Sequence, residues 1–224
     1  DAQGNEEWRK TLGEGEGESV QQTVDGGFVV TGRDGDGVFL LKTDGEGNEE
    51  WRKTFGEMRG NSVQQTVDGG FVVTGSDGDG EVFLLKTDGG GNKEWRKTFG
   101  GVTGKSVQQT VDGGFVVTST FLRKIDGEGN EEWRKKLGEY GWGRSVQQTV
   151  DGGFIVTGYD GDSDVLLLKA DGQGNEQWRK TFGGGIVGSV QQTVDRGFVF
   201  TGRIGDDVSL LKMDGQGNEQ WRKT

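Results

Sequence analysis

One fourteen-residue string occurs five times in this chain. SVQQTVDGGFVVTG begins at Ser19 and returns almost unchanged at Ser62, Ser106, Ser145 and Ser189, at intervals of 39 to 44 residues. A period of about 40 to 45 residues is typical of propeller blades and is longer than that of most leucine-rich repeats. The spacing therefore predicts five copies of one structural unit.

Each repeat contains four segments with the alternation of a β-strand. In the second repeat these segments are strand A (62–67), strand B (71–75), strand C (82–87) and strand D (93–99). They carry β-branched or aromatic residues at alternating positions and are separated by Asp-Gly or Gly-rich turns. We therefore predict an all-β fold, a five-bladed β-propeller of four-stranded antiparallel blades, formed by residues 1–224 as a single domain.

The turn between strands A and B indicates where a glycine is needed. It reads Val-Asp-Gly-Gly-Phe in four repeats, whereas the fifth has Arg196 in place of the first glycine. Because only the second glycine is present in every repeat, we predict that it adopts a positive φ, as in a bulged hairpin. These second glycines are Gly27, Gly70, Gly114, Gly153 and Gly197.

The composition excludes several kinds of site. The chain has 46 Gly, no Pro, no Cys, no His and a net charge of -11. Without cysteine there are no disulfides, thiolate metal sites or thiol nucleophiles, and without histidine the usual general base is missing. No apolar run approaches the eighteen or so residues of a membrane span, so we predict none.

The repeat resembles a known class of propellers. SVQQTVDGGFVVTG followed by LLKTDGEGNEEWRKTFG resembles the tandem propeller repeats of bacterial and archaeal surface or secreted proteins, over essentially the whole chain. DGEGNEEW is also distantly similar to the tryptophan-docking motif of PQQ-type propellers, but its Asp-to-Trp interval is one residue shorter, so a quinone cofactor does not follow. The resemblance implies the fold and a location outside the cell or on its surface, and it says little about function.

Each strand D carries one tryptophan. Such a set could be a ring of platforms for sugars, or it could pack between blades, burying about 150–250 Å² per ring; we favour packing. The Arg-Lys pair that follows protects an outer strand from edge pairing, and the acidic net charge opposes phosphate binding, so we predict no nucleic-acid partner. The six tryptophans are Trp8, Trp51, Trp95, Trp133, Trp178 and Trp221.

Acidic hairpins between strands B and C raise a calcium hypothesis. Their carboxylates follow one another at intervals of two residues, which suits Ca²⁺ in a flexible loop, although Asp and Gly are also ordinary hairpin residues. Otherwise no cofactor is expected. The candidate ligands are Asp34, Asp36, Asp77, Asp79, Glu81, Asp160, Asp162 and Asp164.

Catalysis is not expected from such a chain. A glycoside hydrolase site needs carboxyl groups in different environments, one protonated and another ionised. Nearly identical blades give nearly identical environments. We therefore predict that the protein is not an enzyme.

The repeats differ mainly in two connections, from strand D to the next strand A and from strand B to strand C. In an antiparallel blade both connections lie at the same end, which we call the variable end. Loops on a rigid scaffold commonly carry binding, so this end predicts a multivalent binding module for a glycan or a protein surface. The alternative is neutral drift, with Ile186 or Trp142 in the top of the core. The candidate binding residues are Met58, Arg59, Tyr140, Trp142, Arg144, Ile186 and Val187, with Val102 and Lys105 on the same end.

Strand D has one copy too many for five blades. The N-terminal copy, with Trp8, lies within residues 1–12 and forms a surplus outer strand, whereas the copy with Trp221 follows the last strand C directly. Either copy could complete the last blade, and the shorter loop favours the local one. An unpaired terminal strand could pair with another molecule. The second functional hypothesis is therefore a self-assembling structural protein that forms oligomers or filaments.

Overall fold

The structure is a computed structural model that describes residues 3–35, 37–56, 58–161, 164–204 and 207–224. Within these ranges, twenty β-strands, β1 to β20, form five four-stranded antiparallel sheets, each made of four consecutive strands. The chain divides into two compact units, Asp1–Phe99 and Gly100–Thr224. The prediction of an all-β fold with five four-stranded blades is confirmed.

The first unit contains blades one and two. Blade one consists of β1 (Glu16–Gln22), β2 (Phe28–Asp34), β3 (Gly37–Thr43) and β4 (Glu49–Phe55). Blade two consists of β5 (Arg59–Gln65), β6 (Phe71–Ser76), β7 (Val82–Thr87) and β8 (Lys93–Phe99).

The second unit contains the other three blades. Blade three consists of β9 (Ser106–Gln109), β10 (Phe115–Thr118), β11 (Phe121–Ile125) and β12 (Glu131–Lys136). Blade four consists of β13 (Trp142–Gln148), β14 (Phe154–Tyr159), β15 (Val165–Ala170) and β16 (Glu176–Phe182). Blade five consists of β17 (Gly185–Gln192), β18 (Phe198–Ile204), β19 (Asp207–Met213) and β20 (Glu219–Lys223).

Blade two shows how closely the strand boundaries were predicted. β7 and β8 have the predicted bounds, and β5 begins three residues earlier than expected, at Arg59. It is longer because the connection from strand D joins the ladder, where Arg59 pairs with Ser76 at the end of β6. The two variable connections therefore lie at the same end of the blade, as predicted.

The core lies between neighbouring blades within each unit. All six residues of β7 and of β15 are buried, because a strand covered on both faces buries consecutive residues rather than alternate ones. The strand D tryptophans add to this core: Trp51 packs against Phe71 of the next blade with ring centroids 5.6 Å apart. Trp133 and Trp178 make the same contact with the next blade, which supports a packing role for these side chains.

The prediction for the A-to-B turn glycines is wrong. The first glycine takes the positive φ, for example 83° at Gly69, and Arg196 adopts φ 64° at that position of blade five. The second glycine is required for space. A Cβ at Gly70 would overlap the carbonyl oxygen of Thr87 and lie 2.6 Å from the Nζ of Lys86.

A buried lysine of strand C explains that close approach. The Lys86 side chain is 5% exposed, and its Nζ lies 2.9 Å from Asp68 in the turn and 2.8 Å from Glu94 in strand D. The ammonium also donates to the carbonyl oxygen of Thr87. Equivalent lysine–aspartate pairs occur in the other four blades. Each blade therefore joins its turn to strand C through one buried cation.

The chain termini differ from the predicted surplus strand. β20, the local copy of strand D, completes blade five by pairing with β19. Residues 5–13 form no β-strand, so the N-terminal copy is not an outer strand of a ladder. It lies on blade one of its own chain, where Trp8 contacts Phe28 with centroids 5.9 Å apart. The shorter loop that closes β20 accounts for the choice.

Candidate functional site

The variable end of the blades presents different cross-strand pairs on equivalent backbone. In each pair, one residue lies three positions before the serine that begins the repeated fourteen-residue string. Its partner lies opposite it, near the end of strand B. The chemistry changes from blade to blade, from ionic to aromatic to mixed. These pairs are Glu16 with Arg33, Arg59 with Ser76, Trp142 with Tyr159, and Ile186 with Arg203.

The aromatic pair of blade four forms a flat surface, which we call the aromatic shelf (Trp142 and Tyr159). The two rings are stacked, with centroids 4.7 Å apart and an interplanar angle of 30°. The hydroxyl of Tyr159 accepts a hydrogen bond from the backbone N–H of Val187 in blade five, at 3.1 Å. A hydrogen bond between blades four and five therefore holds Tyr159 of the shelf in place.

The strand that carries the shelf is fixed against blade three. The backbone N–H of Gly143 donates to the carbonyl oxygen of Ser119 at 2.7 Å. A Cβ at Gly143 would lie 2.8 Å from the Cβ of Thr118 and 2.9 Å from Leu137, so only glycine allows this approach. The backbone that carries Trp142 therefore cannot shift outward without losing contact with blade three.

A hollow of about 370 Å³ lies on one side of the shelf. It is lined by Val102, Thr103, Lys105, Thr120 and Trp142. The Nζ of Lys105 lies 5.9 Å from the centroid of the Trp142 ring, within the range of a cation–π contact. The hollow therefore combines an indole, two hydroxyls and a cation.

A second hollow of about 210 Å³ lies on the other side. It is lined by Tyr140, Trp142, Tyr159, Gly161 and Gly185. Tyr140 is 77% exposed, which is a large apolar area for a side chain to leave in water. Trp142 borders both hollows, so one indole could contact a ligand that occupies either of them.

The variable end of the first unit is ionic instead. A hollow of about 620 Å³ is lined by Arg33, Met58, Arg59 and Asp77 among others. Arg59 forms ion pairs with Glu16, at 3.3 Å, and with Glu18. The hydrogen bond to Glu18 raises the pKa of the Arg59 guanidinium. The guanidinium of Arg59 is therefore already paired within the chain.

The predicted binding residues do not all reach the surface. Met58 is 6% exposed and Val187 is 0% exposed, and both belong to hydrophobic cores. Ile186 is 49% exposed, and Arg144 is exposed as well. Met58 and Val187 are apolar residues of loops that fold inward onto the core, so neither presents its side chain to a ligand on this end.

Tyr159, Thr103 and Thr120 were missed by the sequence analysis. Tyr159 is the residue directly opposite Trp142 in the ladder. Its position could have been found from the register, because the strand A serine pairs with the threonine of strand B in blades one, two and four. Aligning each variable residue with its cross-strand partner would have placed Trp142 opposite Tyr159.

The acidic hairpins are partly engaged in other contacts. Asp77 accepts hydrogen bonds from the backbone N–H groups of Asp79, at 3.1 Å, and Glu81, at 2.9 Å, and lies 3.5 Å from Arg96. Within the described ranges, no three acidic groups are arranged to hold a metal ion.

The remaining calcium candidates stay a prediction. Asp34 lies 3.6 Å from Arg52, whereas Asp36 and Asp162 are outside the described residues. If Asp160, Asp162 and Asp164 bind calcium, millimolar Ca²⁺ will raise the melting temperature. A melting curve that is the same with Ca²⁺ and with chelator would contradict the calcium hypothesis.

The chain is similar to known propellers. Residues 118–224, just under half of the chain, match the family of outer membrane protein assembly factor BamB. No curated protein matches the sequence significantly. Among solved structures, a protein of unknown function from Bacteroides caccae is similar with a TM-score of 0.67 and 15% identity, covering 96% of this chain and 84% of that one.

Two further structures give the same fold. The WD40 β-propeller domain of Doa1 has a TM-score of 0.63 and 14% identity, covering 83% of this chain and 60% of that one. U3-55K has a TM-score of 0.69 and 10% identity, covering 91% and 65%. The chain thus spans less than two thirds of both. At such identities the likeness establishes a β-propeller fold and nothing more.

No helix in the described part of the chain is long and apolar enough to cross a membrane.

Proposed function

We propose that the protein is a non-catalytic β-propeller that binds a glycan at the aromatic shelf. The observation that carries the proposal is the position of Trp142, whose indole is stacked on Tyr159 and borders two hollows at once. The rest of the scaffold is nearly invariant between blades. The pair of Trp142 and Tyr159 is the most apolar of its variable cross-strand pairs. A glycan at the cell surface or outside the cell would agree with the location predicted from the repeat.

The chemistry of the first hollow suits a sugar. The face of a pyranose carries C–H groups that can lie against an indole, while its rim carries hydroxyls. Thr103 and Thr120 line the hollow beside Lys105 and Trp142, so donors and acceptors surround the aromatic surface. A volume of about 370 Å³ is at the lower end of the roughly 300–1,000 Å³ of small-ligand sites. It suits one or two sugar units.

The electrostatics of the carboxyl groups support a role without catalysis. In the described part of the chain, every carboxyl group with a clear pKa shift has a lowered pKa. Hydrogen bonds within turns cause much of this effect, as when Asn48 donates to Asp44. A glycosidase acid needs the opposite shift. The turn aspartates therefore support structure rather than proton transfer.

A glycan-array screen of the wild type beside Trp142→Ala tests the proposal. Hits are then titrated by calorimetry, and we expect the variant to lose at least about ten-fold in affinity, because aromatic anchors dominate binding sites. Val111→Ala is the matched control, since Val111 is 93% exposed on a turn at the other end of the blade. Binding that survives Trp142→Ala would contradict the shelf. Binding of proteins but of no glycan would replace the ligand class.

A further inference from the structure

The hollow of about 370 Å³ differs in charge from the hollow on the other side of Trp142. Among its described lining residues, Lys105 is the only charged one. The described residues that line the second hollow carry no charge, and Glu139 and Asp160 each precede one of them in the sequence. One side of the indole therefore offers a cation, whereas acidic residues adjoin the other side.

Lys105 is held beside the indole. Its backbone N–H donates to the carbonyl oxygen of Thr118 at 2.8 Å, and the residue is half-buried. Its Nζ lies 5.9 Å from the centroid of the Trp142 ring, so the ammonium stands next to the surface on which a sugar would lie. Because water and salt screen a partly buried charge less than an exposed one, this cation acts strongly on a charged ligand in the hollow.

The connection that carries Lys105 has a strained backbone. Thr103 adopts φ 44°, a left-handed conformation that is unusual for a β-branched residue because its Cβ approaches the backbone. Such conformations persist where the surrounding structure imposes them, and they cluster at ligand sites. Thr103 lines the hollow, so the strained residue is one that a ligand would contact.

A buried arginine holds the start of this connection. The guanidinium of Arg123 donates to the carbonyl oxygen of Gly100 and forms an ion pair with Glu131. Gly101 adopts φ 134°, and a Cβ there would lie 3.1 Å from the Oγ1 of Thr120 and 3.2 Å from the Nη2 of Arg123. The connection is therefore packed closely onto blade three, and the hollow that it lines is preformed, as small-molecule sites usually are.

The short B-to-C hairpin of blade three leaves room beside the connection. Only Ser119 and Thr120 separate β10 from β11, whereas residues 77–81 separate β6 from β7 in blade two. The backbone N–H of Ser119 donates to the carbonyl oxygen of Phe121 at 2.9 Å, which closes this tight turn. Thr120 lines the hollow, so the turn supplies a hydroxyl group to it.

We propose that this hollow binds a sugar with a negatively charged substituent, a carboxylate or a sulfate, and that Lys105 is its charge partner. This assignment rests on the proposed glycan site and names its ligand class. The indole packs against the C–H face of the sugar, Thr103 and Thr120 bind its hydroxyls, and the ammonium donates to the anion in a charge-assisted hydrogen bond. In an oligosaccharide that crosses Trp142, the anionic unit lies on the Lys105 side and a neutral unit lies in the second hollow.

The net charge of the chain makes this preference local. At -11 the protein attracts no anions at long range, so acidic sugars are not collected over its whole surface. The Debye length of about 8 Å at physiological salt screens the distant carboxylates, whereas a sugar in the hollow lies next to Lys105. An anionic sugar therefore gains affinity from this one cation.

A glycan array with matched members tests the proposal. Each neutral sugar is printed beside its uronate and its sulfated form, and the wild type is screened beside Trp142→Ala. We expect the hits that depend on Trp142 to be concentrated among the charged members, and the array then shows which anion is preferred. If neutral members bind as well as their charged counterparts and depend on Trp142, the charge assignment is wrong while the glycan proposal stands. If no member binds, the glycan proposal fails and the charge assignment fails with it.

Lys105→Met identifies the charge partner. Calorimetry with a charged hit and its neutral counterpart gives the ratio of their affinities. We expect Lys105→Met to lower this ratio at least about ten-fold, because a hydrogen bond to a charged group contributes that much, and Lys105→Arg to keep most of it. Thermal unfolding verifies that the variants are folded.

Lys93→Met is the matched control, since it changes the net charge equally. Lys93 is exposed at the start of β8, at the opposite end of blade two, and its removal should leave the ratio as in the wild type. A ratio that is unchanged in Lys105→Met, or that falls equally in Lys93→Met, would overturn the proposal.

Discussion

The Nζ of Lys42 lies 3.0 Å from the carboxylate of Asp25 in the neighbouring turn. The hydroxyl of Thr23 and the backbone N–H of Gly27 also donate to this carboxylate. Hydrogen bonds from Thr23, then from Lys42 and Gly27, lower the pKa of Asp25 from 3.8 to about 2. The turn that recurs in every blade is therefore held by a carboxylate that must stay ionised.

This relationship predicts a loss of stability in acid. The pKa is also lowered to about 2 at Asp68, Asp151 and Asp195. A carboxyl group with a lowered folded-state pKa stabilises the fold fully above its unfolded value and loses this effect as the pH falls through the folded value. We expect the melting temperature to fall steeply between about pH 4 and pH 2, measured by circular dichroism.

Asp68→Asn identifies the source of that pH dependence. The amide keeps an oxygen for Thr66 and Gly70 but loses the charge that faces Lys86. The variant should be less stable at pH 7, and its melting temperature should depend less on pH below 4. Asp79→Asn, in an exposed hairpin, is the control. Equal pH dependence in Asp68→Asn and the wild type would contradict the assignment.

The two glycines of one turn should respond differently to substitution. Gly69 has φ 83° and open space around its Cβ position, so alanine there costs about 1–2 kcal/mol of backbone strain. At Gly70 the new methyl would collide with backbone and with Lys86, and we expect a loss of about 3 kcal/mol. Urea unfolding measures both.

Blade five supplies the comparison for that pair. Arg196 stands at the first position with φ 64°, so Gly69→Arg should be tolerated about as well as Gly69→Ala. If Gly70→Ala proves no more destabilising than Gly69→Ala, the close approach of Lys86 is not what requires glycine at position 70.

Repetition made the strand bounds predictable from the sequence. The roles of the turn residues were harder to predict, because they depend on side-chain packing. The alternation of β-branched residues and the Gly-rich turns set the bounds of β7 and β8 correctly. The role of Gly70 was misassigned because the residue that excludes a Cβ there, Lys86, is sixteen positions away in sequence. Only the strand register places that ammonium over the turn.

The candidate site was predicted in part for a similar reason. Tyr140 and Trp142 were among the predicted binding residues, and the structure places both at one hollow. Met58 and Val187 occupy the same connections but fold inward. Loop position alone does not indicate whether an apolar side chain faces water or the core, since that depends on the path of the backbone in each connection.

The two rings of the aromatic shelf should separate binding from stability. Tyr159→Phe removes the acceptor for the N–H of buried Val187, which should cost about 1 kcal/mol of stability while the stack with Trp142 remains. Trp142→Ala removes a half-buried indole, so it should reduce ligand binding with a smaller effect on melting temperature than the loss of a fully buried aromatic. Calorimetry and thermal unfolding on the same preparations measure both. A large loss of stability in Trp142→Ala, with binding intact, would place Trp142 in the core.

Arg123 occupies a position that is leucine in the other four blades, at Leu41, Leu85, Leu168 and Leu211. Its side chain is fully buried, forms an ion pair with Glu131 and donates to the carbonyl oxygen of Gly100. Burial lowers the pKa of the guanidinium, which reflects the cost of removing a cation from water.

Replacing a buried ion pair by a well-packed apolar residue is often neutral or stabilising, whereas truncating one partner is costly. Arg123→Leu should therefore leave the free energy of unfolding unchanged or raise it by about 1–2 kcal/mol, since Glu131 keeps a contact with Arg134 at 3.7 Å. Arg123→Ala should lower it by about 3 kcal/mol, because it adds a cavity to the lost pair. Urea denaturation of both variants beside the wild type measures the difference. If Arg123→Leu is as unstable as Arg123→Ala, the hydrogen bond to Gly100 and the ion pair are worth more than their desolvation, and blade three depends on its arginine.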